Sequence, residues 1–186
     1  MKILAISGSL RADSLNTKLL EAAGEVAGGE VEYEVWDGLK AVPPYDQDDE
    51  HETPLAVARL RAAIAGADAV LFATPEYNAS IPGQLKNALD WVSRPMATNP
   101  LRNIPVAVIG ASPGAFGAVW AQAELKKVVG LIGARILPTE LAVGKANDRF
   151  DDAGRLTDEE LRVRLGEIMN DLVAAAQERE AVHATG

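Results

Sequence analysis

Apolar runs and helical patterns alternate along this chain from end to end. Ile3-Leu4-Ala5-Ile6 is a short unbroken apolar run that stops at Ser7-Gly8, which suits a strand buried on both faces, since a half-exposed strand would alternate. Leu15, Leu19, Ala22, Ala23 and Val26 then fall at three- and four-residue intervals and predict a helix with one apolar stripe. From Val31 to Trp36, Val, Tyr and Val alternate with Glu, Glu and Trp, a weaker strand pattern that suits a position near the sheet edge. A long polar stretch, Asp37 to Thr53, separates it from the next helix. There Thr53-Pro54 reads as an N-cap followed by proline at the first helical position, with Leu55, Ala58, Leu60 and Ile64 on the apolar face.

The alternation continues with a strand over Ala67 to Ala73, a helix carrying Leu85, Ala88, Leu89 and Val92, and a strand over Ile104 to Ile109. A fourth helix covers Ala118 to Leu131. A fifth strand is predicted over Arg135 to Leu141, at an edge or bulged because Pro138 has no N–H for a ladder. Thr157-Asp158-Glu159-Glu160 reads as a capping box opening a last helix with Leu161, Leu165, Ile168, Met169 and Leu172 on one face. The end, about Gln177 to Gly186, is expected to fray. Five strands alternating with five helices predict an α/β fold, a parallel sheet with helices on both faces. Such sheets place their sites in the loops beyond the carboxyl ends of the strands, near the switch in strand order.

Composition narrows the chemistry. The 186 residues fit one domain at roughly 100–200 residues per domain, expected over 1–176. No cysteine is present, which excludes disulfides, thiolate nucleophiles, zinc ribbons and cysteine-ligated clusters; any redox chemistry must belong to a bound cofactor. Lys and Arg number 18 against 27 Asp and Glu, a net charge of −9. That field repels nucleic-acid backbones and anionic lipid, so neither is an expected partner. The opening apolar run ends after four residues, short of the about 7–15 of a signal-peptide core. No run approaches the about 18 residues of a membrane span, and the expected location is cytoplasmic.

Three loops hold the candidate chemistry. Ser7-Gly8-Ser9-Leu10-Arg11-Ala12-Asp13-Ser14-Leu15-Asn16-Thr17 offers four hydroxyls, an amide and a guanidinium beside a helix N-terminus, whose free N–H groups and dipole attract anions. It lacks G-x-G-x-x-G and the P-loop lysine, so it suits a phosphate monoester that is held and not cleaved. Thr74 to Gly83 contains Pro75, Pro82 and Gly83, a stiff loop that can contact a planar ligand at low entropic cost. Gly110-Ala111-Ser112-Pro113-Gly114 matches G-x-S-x-G, the nucleophile elbow. It is rejected as one. Pro113 lacks the N–H that would form half of the oxyanion hole, and of the two histidines His51 lies upstream and His183 in the expected tail. With Phe116 and Gly117 the same loop instead offers main-chain donors to a flat ring. The acidic segment Asp46 to Glu52 reads as a solvated loop, not a metal cluster.

Together, SGSLRADSLNTKLL at 7–20, PEYNASIPGQLKNALDW at 75–91 and GASPGAFGAVWAQAELK at 110–126 resemble the NAD(P)H-dependent FMN reductase family, the flavodoxin-like group that includes bacterial quinone, chromate and azo-dye reductases. The resemblance runs to about Leu141. It implies a three-layer flavodoxin-like fold with a five-stranded parallel sheet of order 2-1-3-4-5. It further implies that Ser9, Arg11, Ser14, Asn16 and Thr17 hold an FMN phosphate, that Pro75, Glu76, Tyr77 and Asn78 contact the ribityl chain and isoalloxazine, and that Ser112, Gly114 and Gly117 line the ring's other edge. One departure is visible, Ala118 standing where the family often has a further glycine.

The resemblance implies an FMN-dependent oxidoreductase, with NADPH or NADH as co-substrate and a quinone or similar small-molecule electron acceptor, in a ping-pong cycle without a dedicated protein acid or base. The alternatives are a flavodoxin-like electron carrier that binds FMN without oxidising nicotinamide, and a non-catalytic protein that kept the fold. A homodimer or homotetramer is implied as well, with Trp91 and Trp120 as candidate interface anchors.

Overall fold

The computed structural model describes residues 1–184. The apolar runs become β1 (Lys2–Ser7), β3 (Ala69–Ala73) and β4 (Pro105–Ala111), the buried centre of a parallel sheet. Their residues divide between two cores by the two-residue period of a strand. Leu4, Ile6, Val70, Phe72, Val106 and Val108 face one way, and Ile3, Ala5, Ala69, Leu71, Ala107 and Ile109 the other. That is why these strands show no polar alternation. β2 (Glu32–Trp36) is the partly buried edge expected of an alternating sequence.

The sheet order is β2-β1-β3-β4-β5, as the resemblance implied. α2 (Leu55–Ala65), α3 (Gly83–Val92) and α4 (Val119–Leu131) contribute to one core. α1 (Leu15–Val26) and α5 (Glu159–Ala184) pack on the other face. The chain leaves β1 toward β2 and returns to β3 on β1's opposite side, so the loops after β1 and β3 part and leave a crevice between them.

Four expectations need correction. The predicted fifth strand is two short ones, β5 (Arg135–Ile136) and β6 (Ala142–Val143), which pair with β4 at different heights. Pro138 cannot donate to the ladder, and the chain rejoins it where Gly110 N–H reaches Leu141 O and Ser112 N–H reaches Val143 O, each at 3.0 Å. Pro54, not Thr53, is the N-cap of α2. At α5 the cap is Asp158, whose Oδ1 accepts from Leu161 N–H at 3.2 Å, while Thr157 binds back to Arg149 O. Finally, α5 continues through the segment expected to fray, to Ala184. Its side chains there find partners on the sheet's end, Glu178 with Arg135 and Arg179 with Asp68 O; residues 185–186 lie outside the described residues.

The polar 37–53 stretch forms two short 3-10 turns, Gly38–Ala41 and Gln47–His51. It is tied down by one face of α3. Gln84 Nε2 donates to Leu39 O and Val42 O at 2.9 and 2.7 Å, and Asn87 Nδ2 and Trp91 Nε1 both donate to Pro43 O. Trp91 is therefore a buried anchor for this loop and not an interface residue, whereas Trp120 is half exposed.

Candidate functional site

The loop after β1 is organised by its own hydroxyls. Ser14 caps α1, its Oγ accepting from Thr17 N–H at 3.2 Å. Thr17 Oγ1 donates to Ser7 Oγ at 3.0 Å, and Ser7 Oγ also accepts from Ser9 N–H. Helix geometry leaves the N–H groups of Leu15 and Asn16 without an intrahelical acceptor. They sit at the positive end of the α1 dipole, in a loop that also carries Arg11.

Asn16 has a second task. Its Nδ2 donates to Ala111 O at 3.0 Å and its Oδ1 accepts from Ala111 N–H at 2.9 Å, all buried. The amide thus joins the start of α1 to the end of β4, fixing the first loop against the third.

The loop after β3 turns tightly. Tyr77 and Ser80 exchange both backbone hydrogen bonds, at 3.0 and 3.1 Å, across Asn78 and Ala79 with φ of 54° and 57°. Two consecutive left-handed residues make the primed two-residue turn that matches strand twist. Glu76 reaches away from it, Oε2 accepting from the N–H groups of Trp120 and Ala121 at 3.0 and 3.1 Å. Ala118, the N-cap of α4, has no side-chain acceptor, so Glu76 caps α4 from another loop. Its charge is balanced by that helix's positive end.

One cleft runs between the three loops, walled by Ser9, Arg11, Ser14, Leu15, Asn16, Pro75, Glu76, Tyr77, Ala111, Ser112 and Pro113. It brings together most of the residues singled out from the sequence. Thr17 lies behind it, holding Ser7. Asn78 is an exposed turn residue, and Gly114 lies off the wall, its N–H on Ser112 Oγ at 3.0 Å. Gly117 is buried against β6 with φ of 58°; a Cβ there would stand 2.6 Å from Val143 N and 2.7 Å from Ala142 O. Its place is set by packing against a neighbouring backbone. Sequence reasoning missed the capping role of Glu76; the signal available was a helix starting at Ala118 without a polar cap of its own.

The family model for NADPH-dependent FMN reductase matches residues 1–148. The chain belongs to this family. It is 43% identical over 165 residues to a NAD(P)H-dependent FMN reductase of Pseudomonas aeruginosa, covering 87% of this chain and 88% of that one. It is 35% identical over 180 residues to a 2-hydroxy-1,4-benzoquinone reductase of a Burkholderia species, covering 96% and 98%. Among solved structures, FerB, a flavoenzyme NAD(P)H:(acceptor) oxidoreductase of Paracoccus denitrificans, superposes with a TM-score of 0.87 at 36% identity, covering 96% of this chain and 98% of that one.

The charges of the first loop divide into a committed pair and a free group. Lys18 pairs with Asp13 and, through that hydrogen bond, holds the Asp13 carboxyl below its usual range. Arg11, two residues away, has no side-chain hydrogen bond or ion pair among the described residues. The loop therefore presents one uncommitted guanidinium in a chain of net charge −9. Glu76→Ala should remove two acceptor contacts at α4 and lower stability by about 1–2 kcal/mol, with Glu76→Gln losing less because an acceptor remains; thermal melting of the two variants measures this.

Proposed function

We propose that this chain, as a single FMN-binding domain, is an FMN-dependent NAD(P)H oxidoreductase that passes electrons from a nicotinamide to a quinone or similar small-molecule acceptor. The observation that carries the reading is the cleft itself: a free guanidinium, hydroxyls and a helix N-terminus at one end, and stiff backbone from two further loops at the other. These groups fit FMN. A phosphate dianion would meet Arg11, the Ser9 and Ser14 hydroxyls and the N–H groups of Leu15 and Asn16, with Thr17 and Ser7 supporting the loop from behind. Pro75 to Asn78 and Ser112 to Gly117 would bound the ribityl chain and ring, Glu76 and Asn16 setting the spacing between the loops.

Bound FMN supplies hydride acceptance from NAD(P)H and electron delivery to a second molecule. What the chain itself contributes is position and electrostatics. Glu76 is held on the Trp120 and Ala121 N–H groups, where the positive end of α4 offsets part of its charge. Among the described residues no cluster of His, Cys, Asp or Glu could hold a metal ion, and the acidic 46–52 segment lies outside the cleft wall. No helix among the described residues is long and apolar enough to cross a membrane; a cytoplasmic site of action, where reduced nicotinamides are supplied, belongs to the proposal.

An apolar rim beside the cleft supports assembly of copies as a homodimer or homotetramer. Tyr77, Phe116, Val119 and Trp120 are exposed, and the Phe116 and Trp120 rings meet edge to face at 5.1 Å. Exposed aromatic groups of this kind are enriched in interfaces. The decisive experiment is the visible spectrum of the FMN-loaded protein under anaerobic NADPH or NADH, followed by quinone addition. Bleaching and recovery are expected; a flavin that stays oxidised with both nicotinamides leaves only the electron-carrier reading. Light scattering on the same sample should give a multiple of the chain mass, and a monomer mass defeats the assembly.

A further inference from the structure

A second cleft adjoins the first across the loop after β1. It lies between that loop and the carboxyl end of β2, and Ser9 and Arg11 belong to both walls. Trp36, Asp37 and Lys40 form its far side. Nothing in the functional reading above uses those three residues.

Their chemistry is specific in combination. Lys40, like Arg11, makes no side-chain hydrogen bond or ion pair among the described residues, so two uncommitted cations share one cleft in an acidic protein. Trp36 ends β2 as a partly buried indole. It is seated on Gly38, where a Cβ would come within 2.9 Å of Cε2 and 3.0 Å of Cη2, so the absence of a side chain at Gly38 lets the 3-10 turn pass closely beneath the ring. The same turn carries Lys40, and it is fixed from below by buried Leu39 and by the Gln84 amide on Leu39 O and Val42 O. The cations and the ring are thus held on anchored backbone, which limits the entropy lost when a ligand binds.

An aromatic face takes a base, a carboxylate accepts from sugar hydroxyls, and Lys and Arg take phosphates. We propose that this second cleft binds the adenosine diphosphate half of the nicotinamide co-substrate, with the adenine against Trp36, a ribose hydroxyl on Asp37 and the phosphates on Lys40 and Arg11. The inference rests on the NAD(P)H oxidoreductase reading. Ser9 and Arg11 wall both clefts, so a dinucleotide seated in the second would enter the first from its phosphate end. Arg11 then faces phosphate from either side.

Lys40 supplies the test, since it has no part in the first cleft. In the FMN-loaded protein, Lys40→Ala should raise the KM for both NADPH and NADH about tenfold, the loss of one charge-assisted phosphate contact, with kcat and the visible flavin spectrum unchanged. Lys40→Arg should restore most of the loss. ADP should inhibit the wild-type protein competitively with the nicotinamide and inhibit Lys40→Ala more weakly. A KM unmoved by Lys40→Ala overturns the proposal while leaving the oxidoreductase reading intact. So does ADP binding, seen as a change in tryptophan fluorescence, that does not compete with NADPH, because the cleft would then serve a separate nucleotide. A flavin-loaded wild-type protein that oxidises neither nicotinamide overturns the functional reading and this one with it.

Discussion

Alanine in place of Arg11 is expected to weaken FMN binding by about 10- to 100-fold while leaving the melting temperature of the cofactor-free protein almost unchanged. The two halves of this result have separate causes. Arg11 is exposed and its side chain makes no hydrogen bond or ion pair among the described residues, acting only through space on the charge of Asp13, so its removal breaks no contact that holds the fold. A hydrogen bond to a charged group contributes about 1.5–3 kcal/mol, and a guanidinium can make two such bonds to one phosphate. Lysine at this position should recover part of the affinity, since it keeps the charge but not the planar fork. Titration of the cofactor-free protein by quenching of FMN fluorescence reads the dissociation constant directly. An Arg11→Ala protein that binds as tightly as the original would place the phosphate elsewhere.

Gly117→Ala should produce a large loss of stability. The residue has φ of 58° and a Cβ would be driven into the Ala142–Val143 backbone, 2.6 Å from Val143 N and 2.7 Å from Ala142 O. The left-handed conformation costs a residue with a side chain about 1–2 kcal/mol, and overpacking against backbone that cannot move aside adds about 1–3 kcal/mol. Together that is roughly 2–5 kcal/mol, or a fall of about 10 °C in a chain of this size. Gly28→Ala is the matched control, because a Cβ there meets nothing within 4 Å. Thermal melts of the two variants decide the matter, and equal melting temperatures would remove the steric argument.

These two positions show which parts of the site were legible. Arg11 stood out in the sequence because a guanidinium has no capping role in a turn, and its chemistry is local to its own loop. The sequence places Gly117 beside a ring pocket, yet its glycine is required by β6, a strand fragment twenty-five residues further on that pairs with β4 beyond Pro138. The resemblance makes Asn16 a phosphate ligand; that its two side-chain arms are fixed to Ala111, 95 residues away, follows only when α1 is laid beside β4. Glu76 is the same case, its carboxylate capping a helix 44 residues downstream.

The sequence by itself determined the architecture. Unbroken apolar runs can be buried only in a sheet covered on both sides, and helical stripes between them make parallel crossovers, so the α/β class, the exposed edge of β2 and the loops that carry the site all follow from local periodicity. The absence of cysteine and the acidic balance also set the chemistry, requiring a borrowed redox group and a local capture of phosphate against the overall field. Tertiary structure decided what local pattern does not encode: which polar side chains are committed to other loops and which stay free. Hydrogen bonds between residues 44 and 95 positions apart are fixed by the stacking of layers. Only after Lys18, Asn16, Glu76, Gln84 and Trp91 have been matched to their partners do Arg11 and Lys40 stand out as cations facing two joined clefts.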